Sequence, residues 1–145
     1  MAPPKRPFNP EALSRFAVPE LKPQIGADTI AVWRYTVFVP VEEQCPDGQT
    51  LPVATAADLD NLEGLLADHF GGITAPAIVP AIKGAGARDP ARPAATREFN
   101  RHATFTIYAA ARGVSDEYFR ALRRELEDAL AEGVILIECQ DVTIL

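Results

Sequence analysis

Ile30-Ala31-Val32-Trp33-Arg34-Tyr35-Thr36-Val37-Phe38-Val39-Pro40-Val41 decides how this chain is read. The run is dense in β-branched and aromatic residues, which suit a pleated, half-buried strand. Side chains alternate sides along a strand. The odd positions Ala31, Trp33, Tyr35, Val37, Val39 and Val41 are almost wholly apolar. The even positions Arg34, Thr36, Phe38 and Pro40 are mixed. One face therefore suits a core, and the other suits water, a partner or a ligand. Pro40 lacks an amide proton, so the strand is expected to end near residues 40–41.

Working outward, residues 1–29 form a Pro-rich arm, and residues 30–145 form one domain. Pro3, Pro4, Pro7, Pro10, Pro19 and Pro23 keep the arm from forming a long regular element. Asn9-Pro10-Glu11 marks a short helix over 10–16, with Asn as cap and Pro in the first turn. Leu13, Phe16, Val18, Leu21 and Ile25 would anchor the arm to its own domain or to a neighbouring subunit. Residues 42–54 read as a loop around the turn types of Cys45-Pro46-Asp47-Gly48.

Thr55-Ala56-Ala57-Asp58 has the form of a capping box and opens a helix over 55–70. Leu59, Leu62, Leu66 and Phe70 recur at helical spacing. Residues 73–82 make a weaker strand that Pro76 and Pro80 demote to an edge. Residues 83–100 read as a long loop. Residues 102–110 form the next strand, with Ala103, Phe105, Ile107 and Ala109 on one side. Ser115-Asp116-Glu117 opens the second helix, whose stripe is Phe119, Leu122, Leu126 and Leu130, with Gly133 as its stop. A last strand covers 134–145. The order strand, helix, strand, strand, helix, strand is the split β-α-β pattern. The expected fold is α+β: a ferredoxin-like βαββαβ sandwich, a four-stranded antiparallel sheet with both helices on one face. The strands at 30–41 and 102–110 should be central.

At 145 residues the chain can bury about two thirds of its surface without a metal or disulfide. The net charge of −6 argues against nucleic acid and acidic membranes, which want a positive field. The run Arg101-His102-Ala103-Thr104-Phe105-Thr106-Ile107-Tyr108 overlaps an RNA-binding strand consensus. It lacks the glycine and first aromatic, and its two aromatics point to opposite faces. Cys45 sits in a turn and Cys139 in a strand, the pattern of two free thiols in a reducing compartment. The start, Met1-Ala2-Pro3-Pro4-Lys5-Arg6-Pro7, has no apolar segment behind it, so a cytoplasmic location is expected. No run approaches the roughly 18 apolar residues of a membrane span.

Residues 35–74 resemble a group of small uncharacterised bacterial proteins of ferredoxin-like fold. The matching parts are the strand Tyr35-Thr36-Val37-Phe38-Val39-Pro40-Val41, the capped helix and Phe70-Gly71-Gly72-Ile73-Thr74. The terminal Ile135-Leu136-Ile137-Glu138 fits as well. The resemblance implies the fold and no activity.

The candidate ligand-binding residues are Arg34, Phe38, His102, Tyr108 and Glu138, all assigned to the open sheet face. No catalytic residue is assigned: His102 reads first as a solvated strand-end histidine, and second as a general base that Glu138 would orient and to which Tyr108 would add a hydroxyl. Arg88, Arg92, Arg97 and Arg101 in or beside the long loop form a second candidate set, for an anion. His69 and His102 are the only histidines, and no acid or cysteine stands at ligand spacing, so neither a metal nor another cofactor is expected. The leading functional expectation is a non-catalytic protein-binding or assembly module. It would self-associate through the open sheet face and the arm as a homo-oligomer, or bind another protein subunit. The alternative is a small enzyme or small-ligand-binding protein of the dimeric α+β barrel type, with its pocket over the same face.

Overall fold

The structure, a computed structural model, describes residues 5–16, 30–44, 47–70, 77–80, 98–110, 112–132 and 135–144. Five strands run β1 (Ile30–Gln44), β2 (Thr50–Pro52), β3 (Ala77–Pro80), β4 (Glu98–Ala109) and β5 (Leu136–Ile144). Two helices, α1 (Ala56–Phe70) and α2 (Arg112–Leu130), interrupt them. The sheet is antiparallel throughout, in the order β2-β1-β4-β3. β5 pairs with the N-terminal part of β1, on Ile30–Phe38, while β2 pairs with Glu42–Gln44. β1 and β4 are therefore the central pair, and the α+β arrangement is consistent with a ferredoxin-like fold. Neither helix is long and apolar enough to cross a membrane.

The alternation in β1 works as its side chains require. Tyr35, Val37 and Val39 are buried in one core with Phe105 and Ile107 of β4. Leu62, Leu66 and Phe70 of α1 and Phe119, Leu122, Leu126 and Leu130 of α2 close over them. The helices also touch each other. The Phe70 ring stacks on Phe119 at 5.3 Å, and its edge meets Tyr118 at 5.1 Å. Both helices therefore lie in one layer on one face of the sheet. Tyr35 stacks on Phe119 with centroids 4.2 Å apart, which ties the central strand to α2.

Four expectations need correction. First, β1 runs past Pro40 to Gln44. A missing N–H matters only on the side it would face, and the Pro40 carbonyl turns away to accept the Ala54 amide at 3.2 Å. Pairing with β4 continues through register shifts between Pro40 and Glu43. Second, that extension recruits β2 out of the presumed loop, so the sheet has a fifth, three-residue strand. Third, β4 starts at Glu98, inside the presumed long loop. Fourth, α2 starts at Arg112, so Ser115 is a buried helix residue rather than a cap. Asp116 is turned to other work, described below.

The end of α2 also differs. The Glu132 amide bonds the Glu127 carbonyl at 3.0 Å and the Ala131 amide bonds the Asp128 carbonyl at 3.4 Å. These are the two bonds of a Schellman stop, and its left-handed residue is Ala131 at φ 53°, not a glycine.

The described part of the arm docks on its own domain. Phe8 and Leu13 are buried in the main core. A 3-10 turn, Pro10–Leu13, is capped by the Asn9 side chain, which accepts from the Glu11 amide. Arg6 forks onto Glu125 of α2 at 2.6 and 2.8 Å. The Phe8 amide donates to Asp58 of α1 at 3.0 Å. Val18, Leu21 and Ile25 lie outside the described residues.

Candidate functional site

Strand register arranges the open face in rows. Arg34 stands between Tyr108 of β4 and Gln140 of β5. The next row is Thr106, Thr36 and Glu138, and the one after is Thr104, Phe38 and Leu136. Pro40 opposite His102 makes the last. Arg34, Thr36, Phe38, His102, Thr104, Thr106 and Tyr108 are half-buried, and Glu138 and Gln140 are exposed. Leu136 is 52% exposed, unusual for a leucine in a strand. The Arg34 guanidinium donates to the Gln140 side-chain carbonyl, which pins it flat along the sheet.

All five predicted ligand-binding residues thus share this face, but not one spot. Arg34, Tyr108 and Glu138 occupy adjacent rows at one end. Phe38 is in the middle, and His102 is at the other end. Six positions along β1 separate the Arg34 row from the His102 row, about 20 Å at strand rise. Burial lowers the basicity of His102 below the ordinary histidine value, so it is neutral at pH 7. Of the second candidate set, Arg88, Arg92 and Arg97 lie outside the described residues. Arg101 is in β4, paired with Glu42 and Pro80. Gly71, Gly72, Ile73 and Thr74 of the resembling run also lie outside them, as does Cys45.

Known proteins offer no guide. The chain matches no protein-family model, no curated protein and no solved structure. The function has to be argued from this chain's own surfaces.

Two concavities lined by described residues lie on the helical side. One, of about 350 Å³, lies between the 3-10 turn and α1, lined by Glu11, Asp60, Asp68 and His69. His69 is buried, and its Nδ1 lies 2.7 Å from the Tyr118 hydroxyl. Burial lowers its basicity, partly offset by the nearby Asp68 carboxylate.

The other, of about 250 Å³, opens between the first half of α2 and the edge formed by β1 and β5. Tyr35 and Cys139 are directly opposed in register at its floor. The Tyr35 hydroxyl bonds Asp116 Oδ1 at 2.6 Å, and Arg112 Nε bonds Asp116 Oδ2 at 3.1 Å. Desolvation, reinforced by the Asp116 hydrogen bond, pushes the Tyr35 phenol well above its ordinary value, so it stays protonated and donates. None of the site residues expected from the sequence lines this cleft. Arg112, Asp116, Arg120 and Arg123 share one helical stripe, a legible signal, but the floor depends on the pairing of β1 with β5.

Proposed function

We propose that this protein is a non-catalytic assembly module in the bacterial cytoplasm, on a ferredoxin-like frame, that pairs with a second copy of itself through the open sheet face. The exposure of Leu136 at the start of the edge strand β5, beside the half-buried Phe38 of β1, carries this reading. An exposed apolar pair flanked by polar side chains is a feature of interfaces. The face is also self-complementary. A two-fold axis near the Thr36 row would set Arg34 of one copy toward Glu138 of the other, and the reverse, as an isologous contact requires. The described stretch of the arm packs on the helices, so the sheet face is the contact surface in this reading. The enzyme alternative needs Arg34, Glu138 and His102 within reach of one small ligand, and about 20 Å of strand works against it.

Sedimentation at micromolar concentration tests the proposal. A dimer is expected for the wild type, with Leu136→Lys and Phe38→Lys shifting it to monomer while the far-UV spectrum is unchanged. A wild-type chain that stays monomeric at about 100 µM, well above the Kd of a stable homodimer, would sink it.

A further inference from the structure

The cleft beside α2 is independent of the sheet face and carries a different chemistry. Three guanidiniums, those of Arg112, Arg120 and Arg123, line it against the single carboxylate of Asp116. In a chain of net charge −6 this is a local positive island. One of the arginines is held by a hydrogen bond, and a second stands near a carboxylate. Arg112 is bonded through Nε to Asp116 and lies 5.2 Å from the centroid of the Trp33 ring. Arg123 Nε lies 3.6 Å from Glu127 Oε1. Both contacts are made through Nε, the nitrogen nearest the chain. Arg120, between them in the stripe, has no ionic partner among the described residues. Guanidinium forks are suited to oxyanions, above all phosphate and carboxylate. With Glu127 beside Arg123 counted, the three guanidiniums and two carboxylates leave one net positive charge, which suits an oxyanion. The apolar wall beside the charges is the half-buried Ile137, with Phe119 almost wholly buried behind it. A volume of about 250 Å³ holds roughly eight waters, at about 30 Å³ each.

We propose that this cleft binds a small phosphate monoester, with the phosphate between Arg120 and Arg123 and a short carbon chain against Ile137. The ester needs no covalent step, and the thiol of Cys139 at the floor serves as a reporter.

The test uses the full chain carrying Cys45→Ser, which leaves Cys139 as its one thiol, and follows alkylation by iodoacetamide, an uncharged reagent. Glycerol 3-phosphate is expected to slow alkylation saturably, and inorganic phosphate more weakly. Arg120→Ala should raise the half-saturating concentration about tenfold, the loss of one charge-assisted contact, with an unchanged melting temperature. Arg15→Ala, an exposed arginine elsewhere, should have no effect. If Cys139 does not alkylate in the free protein, calorimetric titration with the same ester decides. Absence of saturable protection or heat up to about 10 mM overturns the proposal. So does protection that sodium chloride reproduces at equal ionic strength, or that Arg120→Ala leaves intact. Equal protection by succinate, a dicarboxylate of matched charge, overturns the assignment to phosphate. Leu136→Lys should bind the ester as the wild type does, so failure of the sheet-face proposal and failure of this one are read separately.

Discussion

Glu125 shows how one carboxylate holds a chain terminus. It accepts both terminal nitrogens of Arg6 and the Asn9 amide at 3.1 Å. The Arg6 hydrogen bonds hold it below the ordinary carboxylate range, against the opposing effect of burial. The native state therefore binds its proton later than the unfolded chain does. The stabilisation is complete above the unfolded value near 4.5 and is lost as pH falls through the folded value. Arg6 is 44% exposed, so solvent screens the pair, and Glu125→Gln should cost about 1 kcal/mol at pH 7. Urea titrations from pH 7 to pH 3 should show the two proteins converging below about pH 4.5, and a constant gap would refute the assignment. Tyr118 is the corresponding buried case. It is fully buried, with its hydroxyl on His69 and edge contacts from Phe16 and Phe70. Tyr118→Phe keeps the ring packing and strips His69 Nδ1 of its partner, a loss of about 1–2 kcal/mol. A neutral result in chemical denaturation would mean that the bond contributes nothing net.

At the scale of elements, Asp58 joins three pieces of chain. The Asp58 amide donates to the Thr55 hydroxyl at 3.1 Å, and the Asp58 carboxylate accepts the Thr55 amide at 3.0 Å. That is the reciprocal capping box expected from the four residues alone. The second carboxylate oxygen accepts the Phe8 amide, so the cap of α1 is also the clasp of the arm. Asp58→Ala should cost about 2 kcal/mol, more than the roughly 1 kcal/mol of an ordinary lost cap. Hydrogen exchange at the Phe8 amide should accelerate with it, and exchange that stays slow would separate the arm from the cap. The stop of α2 gives the opposite kind of prediction. Left-handed backbone costs a non-glycine residue about 1–2 kcal/mol, while the buried Ala131 methyl contributes about 0.8 kcal/mol. The first term is larger, so Ala131→Gly should stabilise by about 0.5 kcal/mol in equilibrium unfolding. A destabilised variant would show that the methyl packing wins.

For the whole molecule, the two faces of one sheet have different duties. The helix-covered face holds the core, and the other carries the rows of Arg34, Thr36 and Phe38. If that face pairs two copies, unfolding is linked to dissociation and the melting temperature must rise with protein concentration. A tenfold dilution should lower it measurably in the wild type and not in Leu136→Lys. Concentration-independent melting in both would remove the dimer.

Much of this was legible beforehand because it rests on short-range rules. Alternation in the run from Ile30 to Val41 identified the core strand and its two faces. Thr55 and Asp58 identified a helix start, and the leucine stripes identified the buried sides of both helices. Nearest-neighbour sterics and hydrogen bonds set these features, and they act within a few residues. What the sequence left open depends on partners far along the chain. Pro40 does not end β1, because its bare nitrogen faces away from the β4 ladder. Asp116 does not serve the helix start, because Tyr35 and Arg112 meet it in space. Glu125 and Asp58 hold an arm whose segments stand 116 and 50 positions away in sequence. Local chemistry determined which residues are inside and in what kind of element. Only tertiary packing decided which polar groups meet, since that choice is made by whichever partner is close enough to replace water.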